Sequence, residues 1–176
     1  MTEQNEEGAI PQKIGRSMII VAWLALLVLL YFFFQAILDQ QYNPNQEVTG
    51  RVEQGGVKEV LLERNRMGHY VATGAINGVP VTFLLDTGAT DVAVPAMVAE
   101  RLGLRGGPVV RSKTAAGTVD TYLVTLDRVA LGPIEMTDVR ASILPAMEGE
   151  EILLGMTFLK RLELVQRGKT LLLRQY

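Results

Sequence analysis

Apolar and polar positions divide this chain into regions with different periods. From Met18 to Phe34 every residue is apolar, MIIVAWLALLVLLYFFF, and after Gln35 the run resumes as Ala36-Ile37-Leu38. About 17–21 such residues, rising about 1.5 Å each, reach across a bilayer core of about 30 Å. A buried core helix would show a polar face, and this run has none. A cleaved signal peptide would have a shorter apolar stretch and a small-x-small site, whereas this run ends in FFFQAIL. Nothing inside it marks the turn of a buried hairpin. The pattern predicts an uncleaved transmembrane anchor over residues 18–38, behind a polar N-terminal segment 1–17. Lys13 and Arg16 flank the first side, and Arg51 is the nearest basic residue on the other. This asymmetry predicts a single pass with the N-terminus in the cytoplasm and the remainder in the periplasm or other extracytoplasmic space.

Residues 39–56, DQQYNPNQEVTGRVEQGG, are rich in Gln, Asn and Gly without periodicity and read as a flexible tether. The folded domain is then expected over 57–176, enough chain for one small core. There the period changes to that of strands. VKEVLL (57–62) predicts a strand and RNRMG a turn. HYVATGAI (69–76) and VPVTFLL (79–85) flank Asn77-Gly78, a two-residue hairpin signal. PAMVAERLGL (95–104) predicts a short helix with Pro95 in its first turn, Met97, Val98 and Leu102 on one side, and Gly103 as its stop. Residues 109–131 predict two strands about Ala115-Ala116-Gly117, and 135–144 a further strand. After a loop at 145–151 come a buried strand ILLG (152–155), a short helix MTFLKRL, and a last hairpin turning at Arg167-Gly168-Lys169. Many short strands with one or two short helices predict a mainly β, barrel-like domain.

Composition narrows the chemistry. A net charge of −2 gives no basic excess and argues against a nucleic-acid partner. Without cysteine there are no disulfides, thiolate nucleophiles or cysteine-held zinc. The single histidine, His69, lies in a predicted strand and disfavours a Ser-His-Asp triad, and no HExxH pair exists. RGKT (167–170) lacks the earlier glycine of a phosphate-binding loop, because Glu163 stands there. Neither metal nor cofactor is expected.

One carboxylate remains conspicuous. FLLDTGATDVAVP (83–95) carries Asp86 out of an apolar strand into Thr87-Gly88. A carboxylate there needs solvating partners, which a Thr hydroxyl and a Gly N–H can provide. The segment LLDTGAT resembles the active-site motif of aspartic proteases, the retropepsin type above all. ILLGMTFL (152–159) is similar to the segment that lies beneath the catalytic loop in those folds. With GHYVATGAINGVPVTFLLDTGAT, AERLGL and LLGMTFLKRLEL, residues 60–176 resemble the bacterial, membrane-anchored, single-lobed retropepsin-like proteases.

The resemblance implies a retropepsin-like acid-protease barrel and an aspartic endopeptidase. Asp86, Thr87 and Gly88 would form the catalytic loop, with Thr87 cross-linking two such loops. Ala89, Thr90 and Asp91 would continue it along the substrate, and Ala115, Ala116 and Gly117 would form the tip of a covering flap. No second Asp-Thr-Gly or Asp-Ser-Gly occurs. Asp91, Asp120, Asp127 and Asp138 lack a following Thr/Ser-Gly and are expected at the surface. The partner carboxylate is therefore expected from Asp86 of a second chain in a two-fold homodimer. Met156 and Thr157 replace the Arg and Asn of retroviral enzymes, and Thr90 replaces their Asp, so no intersubunit salt bridge is implied. A permanently monomeric, non-catalytic peptide-binding module is the competing expectation, and dimerisation separates the two.

Overall fold

The computed structural model describes residues 12–53, 55–114 and 117–176. The chain divides between Asp39 and Gln40 into two compact units. Most of helix α1 (Gln12–Tyr42) belongs to the first. Its Met18–Tyr42 portion is long and apolar enough to cross a membrane by length and composition, and its side chains from Met18 to Phe34 are exposed.

The second unit, Gln40–Tyr176, contains strands β1 (Gly50–Val52), β2 (Lys58–Glu63), β3 (Val71–Ile76), β4 (Val79–Leu85) and β5 (Val92–Pro95). Helix α2 (Ala96–Arg101) follows, then β6 (Val109–Thr114), β7 (Gly117–Leu131), β8 (Ile134–Leu144) and β9 (Glu151–Leu154). Helix α3 (Met156–Leu159) leads to β10 (Glu163–Arg167) and β11 (Thr170–Gln175). Asn77, at φ 50°, and Gly78, at φ 84°, make the tight turn between β3 and β4, the left-handed pair that suits strand twist.

Seven strands form one sheet in the order β3-β4-β9-β5-β8-β7-β6. Pairing of Ala75 with Ala130 and Ile76 with Val129 joins β3 to β7 and closes it into a barrel. Two parallel pairings, β4–β9 and β5–β8, are long-range. The interior holds Phe83, Ile76, Leu126, Ile134, Ile152, Leu154 and, from α3, Phe158, all fully buried. Side chains of this size each contribute about 1.5–3 kcal/mol on burial.

The other strands make a four-stranded sheet, β1-β2-β11-β10. Val60, Leu62, Leu171 and Leu173 alternate inward and join the barrel core, so the period of two along β2 and β11 fastens the small sheet to the large one. On its outer face one cross-strand row reads Arg51, Glu59, Arg174, Glu163. Glu59, 3% exposed, bonds Arg174 and Arg51, and Arg174 also reaches Glu163 at 3.3 Å. The Arg174 guanidinium first, then Arg51, holds the Glu59 carboxyl below the usual carboxylate range.

Three sequence expectations need correction. Residues 40–52 belong to the compact unit rather than to a tether. Asn43 and Asn45 are buried, and β1 pairs with β2. The Asn45 side chain donates to the carbonyls of Glu63 (2.9 Å) and Val71 (2.7 Å), and its oxygen accepts from the Glu63 N–H (2.7 Å). A polar, aperiodic segment is thus held by side-chain-to-backbone bonds that leave no hydrophobic period to read. In α2, Pro95 closes β5 and caps the helix, while Met97 is exposed and Ala99 takes its place beside Val98 in the core. The third correction, Asp91, belongs to the site.

Candidate active site

The sheet order explains why Asp86 sits where it does. Strand β9 lies between β4 and β5, so the loop joining those two strands must cross the end of β9. Because β9 runs parallel to β4, its C-terminal end and Gly155 come up beneath that loop. The Asp86 N–H donates to the Leu154 carbonyl at 3.2 Å, and the N–H groups of Met156 and Thr157 donate to the carbonyls of Ala89 (2.8 Å) and Thr90 (3.0 Å). The first amides of α3, which have no partners within their own helix, therefore fix the loop.

Thr157 adds a side-chain clasp. Its hydroxyl donates to the Arg140 carbonyl (2.8 Å) and accepts from the Val92 N–H (3.1 Å), joining α3, β5 and β8. Within the loop the Gly88 N–H donates to Asp86 Oδ1 at 2.8 Å. Asp86 is half-buried, whereas Thr87, Gly88 and Thr90 are exposed.

Asp91 is not a free surface carboxylate. It is 19% exposed, and its Oδ1 accepts Arg140 Nε at 2.9 Å and Nη2 at 2.7 Å, with Ser142 Oγ 3.4 Å from Oδ2. Sequence spacing hides this pair, since 49 residues separate its members. Parallel pairing of Val92 with Ala141 and Ala93 with Ser142 brings them together.

Asp86, Gly88, Ala89, Thr90 and Asp91 share a groove of about 660 Å³ with Ala93, Ser112, Lys113, Ser142, Leu144 and Leu153. Thr87 is not part of this lining. Across from the loop the described part of the β6–β7 hairpin contributes Ser112 and Lys113. Thr114 pairs with Gly117, which opens β7 at φ 117°. Ala115 and Ala116, expected at the flap tip, lie outside the described residues. Sequence reading missed Ser112, Lys113 and Leu144 of this lining, and also the row Leu153, Ala93 and Ser142, which neighbouring registers place side by side on the face opposite the core residues Ile152, Leu154, Val92, Val94, Ala141 and Ile143. Among the described residues no group of three His, Cys, Asp or Glu side chains is placed to hold a metal.

A closed barrel of this topology, with one Asp-Thr-Gly loop laid over a Gly-helix element beside an open groove, defines a single-lobed acid-protease fold. Residues 72–161 match the family described as "gag-polyprotein putative aspartyl protease". The chain belongs to this retropepsin-like aspartic protease family. Its structure is similar to the crystal structure of a retropepsin-like aspartic protease from Rickettsia conorii, with a TM-score of 0.58 and 28% identity over 68% of this chain and 92% of that one. In sequence it is 32% identical to an uncharacterized protein from the cobV 5′ region of a Sinorhizobium species, over 63% of this chain and 49% of the relative. It is 28% identical to an uncharacterized protein of Rickettsia prowazekii (strain Madrid E), over 68% and 52%. The chain spans about half the length of these curated relatives.

Proposed function

We propose that this chain is a membrane-tethered aspartic endopeptidase that hydrolyses peptide bonds with a dyad of Asp86 from two chains of a homodimer. The observation that carries it is the single half-buried Asp86 at the mouth of the groove, in a loop fixed by β9 and α3. Chemistry of this type needs two carboxylates that share one proton. One subunit supplies one, so the second comes from a symmetric copy. The ionised member takes a proton from a water held between the pair, and the water oxygen attacks the scissile carbonyl. The protonated member donates to the carbonyl oxygen as the tetrahedral intermediate forms. Proton transfer to the leaving nitrogen then releases the two fragments. Thr87, exposed and outside the groove, suits a contact between the two loops, and the β6–β7 hairpin suits a cover over the substrate.

The apolar helix over Met18–Tyr42 supports a single-pass anchor in the cytoplasmic membrane, with the protease unit on the extracytoplasmic side. The test is incubation of the full chain, in neutral detergent, with a mixed peptide library read by mass spectrometry. Defined cleavage products with the native chain, and none with Asp86→Asn, are expected. Products of equal yield from both would remove Asp86 from the chemistry, and no products from either would leave the groove as a peptide-binding site.

A further inference from the structure

The groove beside Asp86 is lined by charges of unequal status. Asp91 is already paired: Arg140 supplies two N–H donors to Oδ1, and Ser142 Oγ lies 3.4 Å from Oδ2. A basic side chain on a bound peptide would have to compete with a guanidinium already fixed in place. Lys113 stands on the hairpin side of the same groove, and among the described residues its ammonium has neither ion pair nor hydrogen bond. Its near neighbour Arg111 is different, since it faces Asp120 at 3.7 Å across the β6–β7 pair. An ammonium carries three donors and no acceptor, so what completes Lys113 is an anionic or carbonyl oxygen.

We infer that the groove selects peptides with an acidic side chain close to the scissile bond, which Lys113 pairs while Arg140 keeps Asp91 from attracting basic ones. The inference rests on the reading of the groove as a peptide site. In a two-fold assembly the shared-proton dyad carries one negative charge between the subunits, whereas each groove keeps its own Lys113. A carboxylate arriving at the hairpin side therefore meets a net positive wall. The floor of Ala93, Leu144 and Leu153 takes an apolar side chain. The substrate class is a segment in which a bulky apolar residue lies one or two positions from Asp or Glu. Charge complementarity of this kind acts on selection and encounter more than on raw affinity.

The experiment uses the full chain in neutral detergent and peptide sets identical except for Glu, Gln or Lys at each position flanking one cleavable bond. At the position facing Lys113, kcat/KM is expected to favour Glu over Lys by about tenfold, an amount one partly desolvated charge contact can supply. The preference should shrink with added salt. It should vanish in Lys113→Met and reverse in Lys113→Glu, and Arg140→Met should raise turnover of the Lys peptide alone. The Gln peptide reports whether each variant is folded and competent. Equal turnover of all three peptides at every position would overturn the inference, as would a Glu preference that survives in Lys113→Met. Titration of the same peptides onto Asp86→Asn reads selection without cleavage. Tighter binding of Glu than Lys peptides there, with no hydrolysis by the native chain, would sink proteolysis and leave the groove's selectivity standing. Equal binding would sink the selectivity.

Discussion

Gly155 stands beneath the backbone carbonyl of Asp91, so that a Cβ built on it would overlap that oxygen and lie 2.7 Å from the carbonyl of Ala89. Both neighbours are main chain, and neither can move aside without shifting the loop that carries Asp86. The same approach lets Met156 and Thr157 donate to Ala89 and Thr90.

Gly155→Ala is therefore expected to displace the loop or the start of α3. Overpacking of this kind costs about 1–3 kcal/mol, and peptide hydrolysis should fall further than stability does, because the displaced group is the Asp86 loop. Thermal unfolding and kcat on one cleavable peptide measure the two effects. A variant with native melting temperature and native kcat would show that the close approach is not required.

Legibility in the sequence followed the range of the interactions. Asn77-Gly78 is a local signal, and the hairpin it predicts is present. FLLDTGAT and ILLGMTFL pointed to the acid-protease fold, yet the crossing of the loop over β9 depends on which strands become neighbours. Asp91 looked like a surface acid because Arg140 is remote in the chain. Asn45 reads as part of a linker because its side chain is held by three bonds to main-chain groups, with no apolar period around them. Met97 followed the helical period, but a six-residue helix buries only the residues its neighbours cover, here Val98 and Ala99.

Asn45→Ala should test the place of residues 40–52 in the fold. It would leave the carbonyls of Glu63 and Val71 and the Glu63 N–H without this partner, in a position only 7% exposed. Buried polar groups left unpaired cost about 1–3 kcal/mol each, and partial access of water should bring the total to about 3 kcal/mol. Chemical denaturation of the variant gives the number. A chain beginning at residue 57 should be less stable than one beginning at residue 40, and equal midpoints would restore the tether.

Acid should weaken the four-stranded sheet in a way that one substitution can remove. Arg174 and then Arg51 depress the Glu59 carboxyl, and Tyr176 and then Arg174 depress Glu163. A folded value below the unfolded one gives stability that is complete above the unfolded value and is lost as pH falls through the folded one. Glu151 behaves oppositely: burial raises its carboxyl, so its contribution is present at low pH and lost as pH rises through the folded value. Melting temperatures from neutral pH down to about pH 3, below the ordinary carboxylate range, should show a steep acid limb in the native chain. Glu59→Gln should flatten that limb, and Glu151→Gln should raise stability near neutrality. An acid limb unchanged in Glu59→Gln would assign the loss to other carboxylates.

The proposed two-chain dyad makes a quantitative demand on mixtures. Strand β11 is hydrogen-bonded on both edges within its own subunit, to β2 and to β10, so it offers no edge to a second chain. In the proposed dimer the contact between subunits is then expected at the Asp86-Thr87-Gly88 loops, the hairpins and the outer edges of β1 and β10. An interface without shared central strands should be modest, and activity in detergent should fall as the chain is diluted. Confinement of the anchors to one bilayer raises the effective concentration, so reconstituted vesicles should retain activity at dilutions where micelles lose it. Asp86→Asn chains should also inhibit native ones. If the two are mixed equally and pair at random, about one quarter of the dimers hold two native loops, and total turnover should fall to about half that of the native chains paired only with each other, provided exchange is complete. A mixture that keeps the full activity of its native half, measured after exchange has been verified by differently labelled chains, would show that each chain works alone.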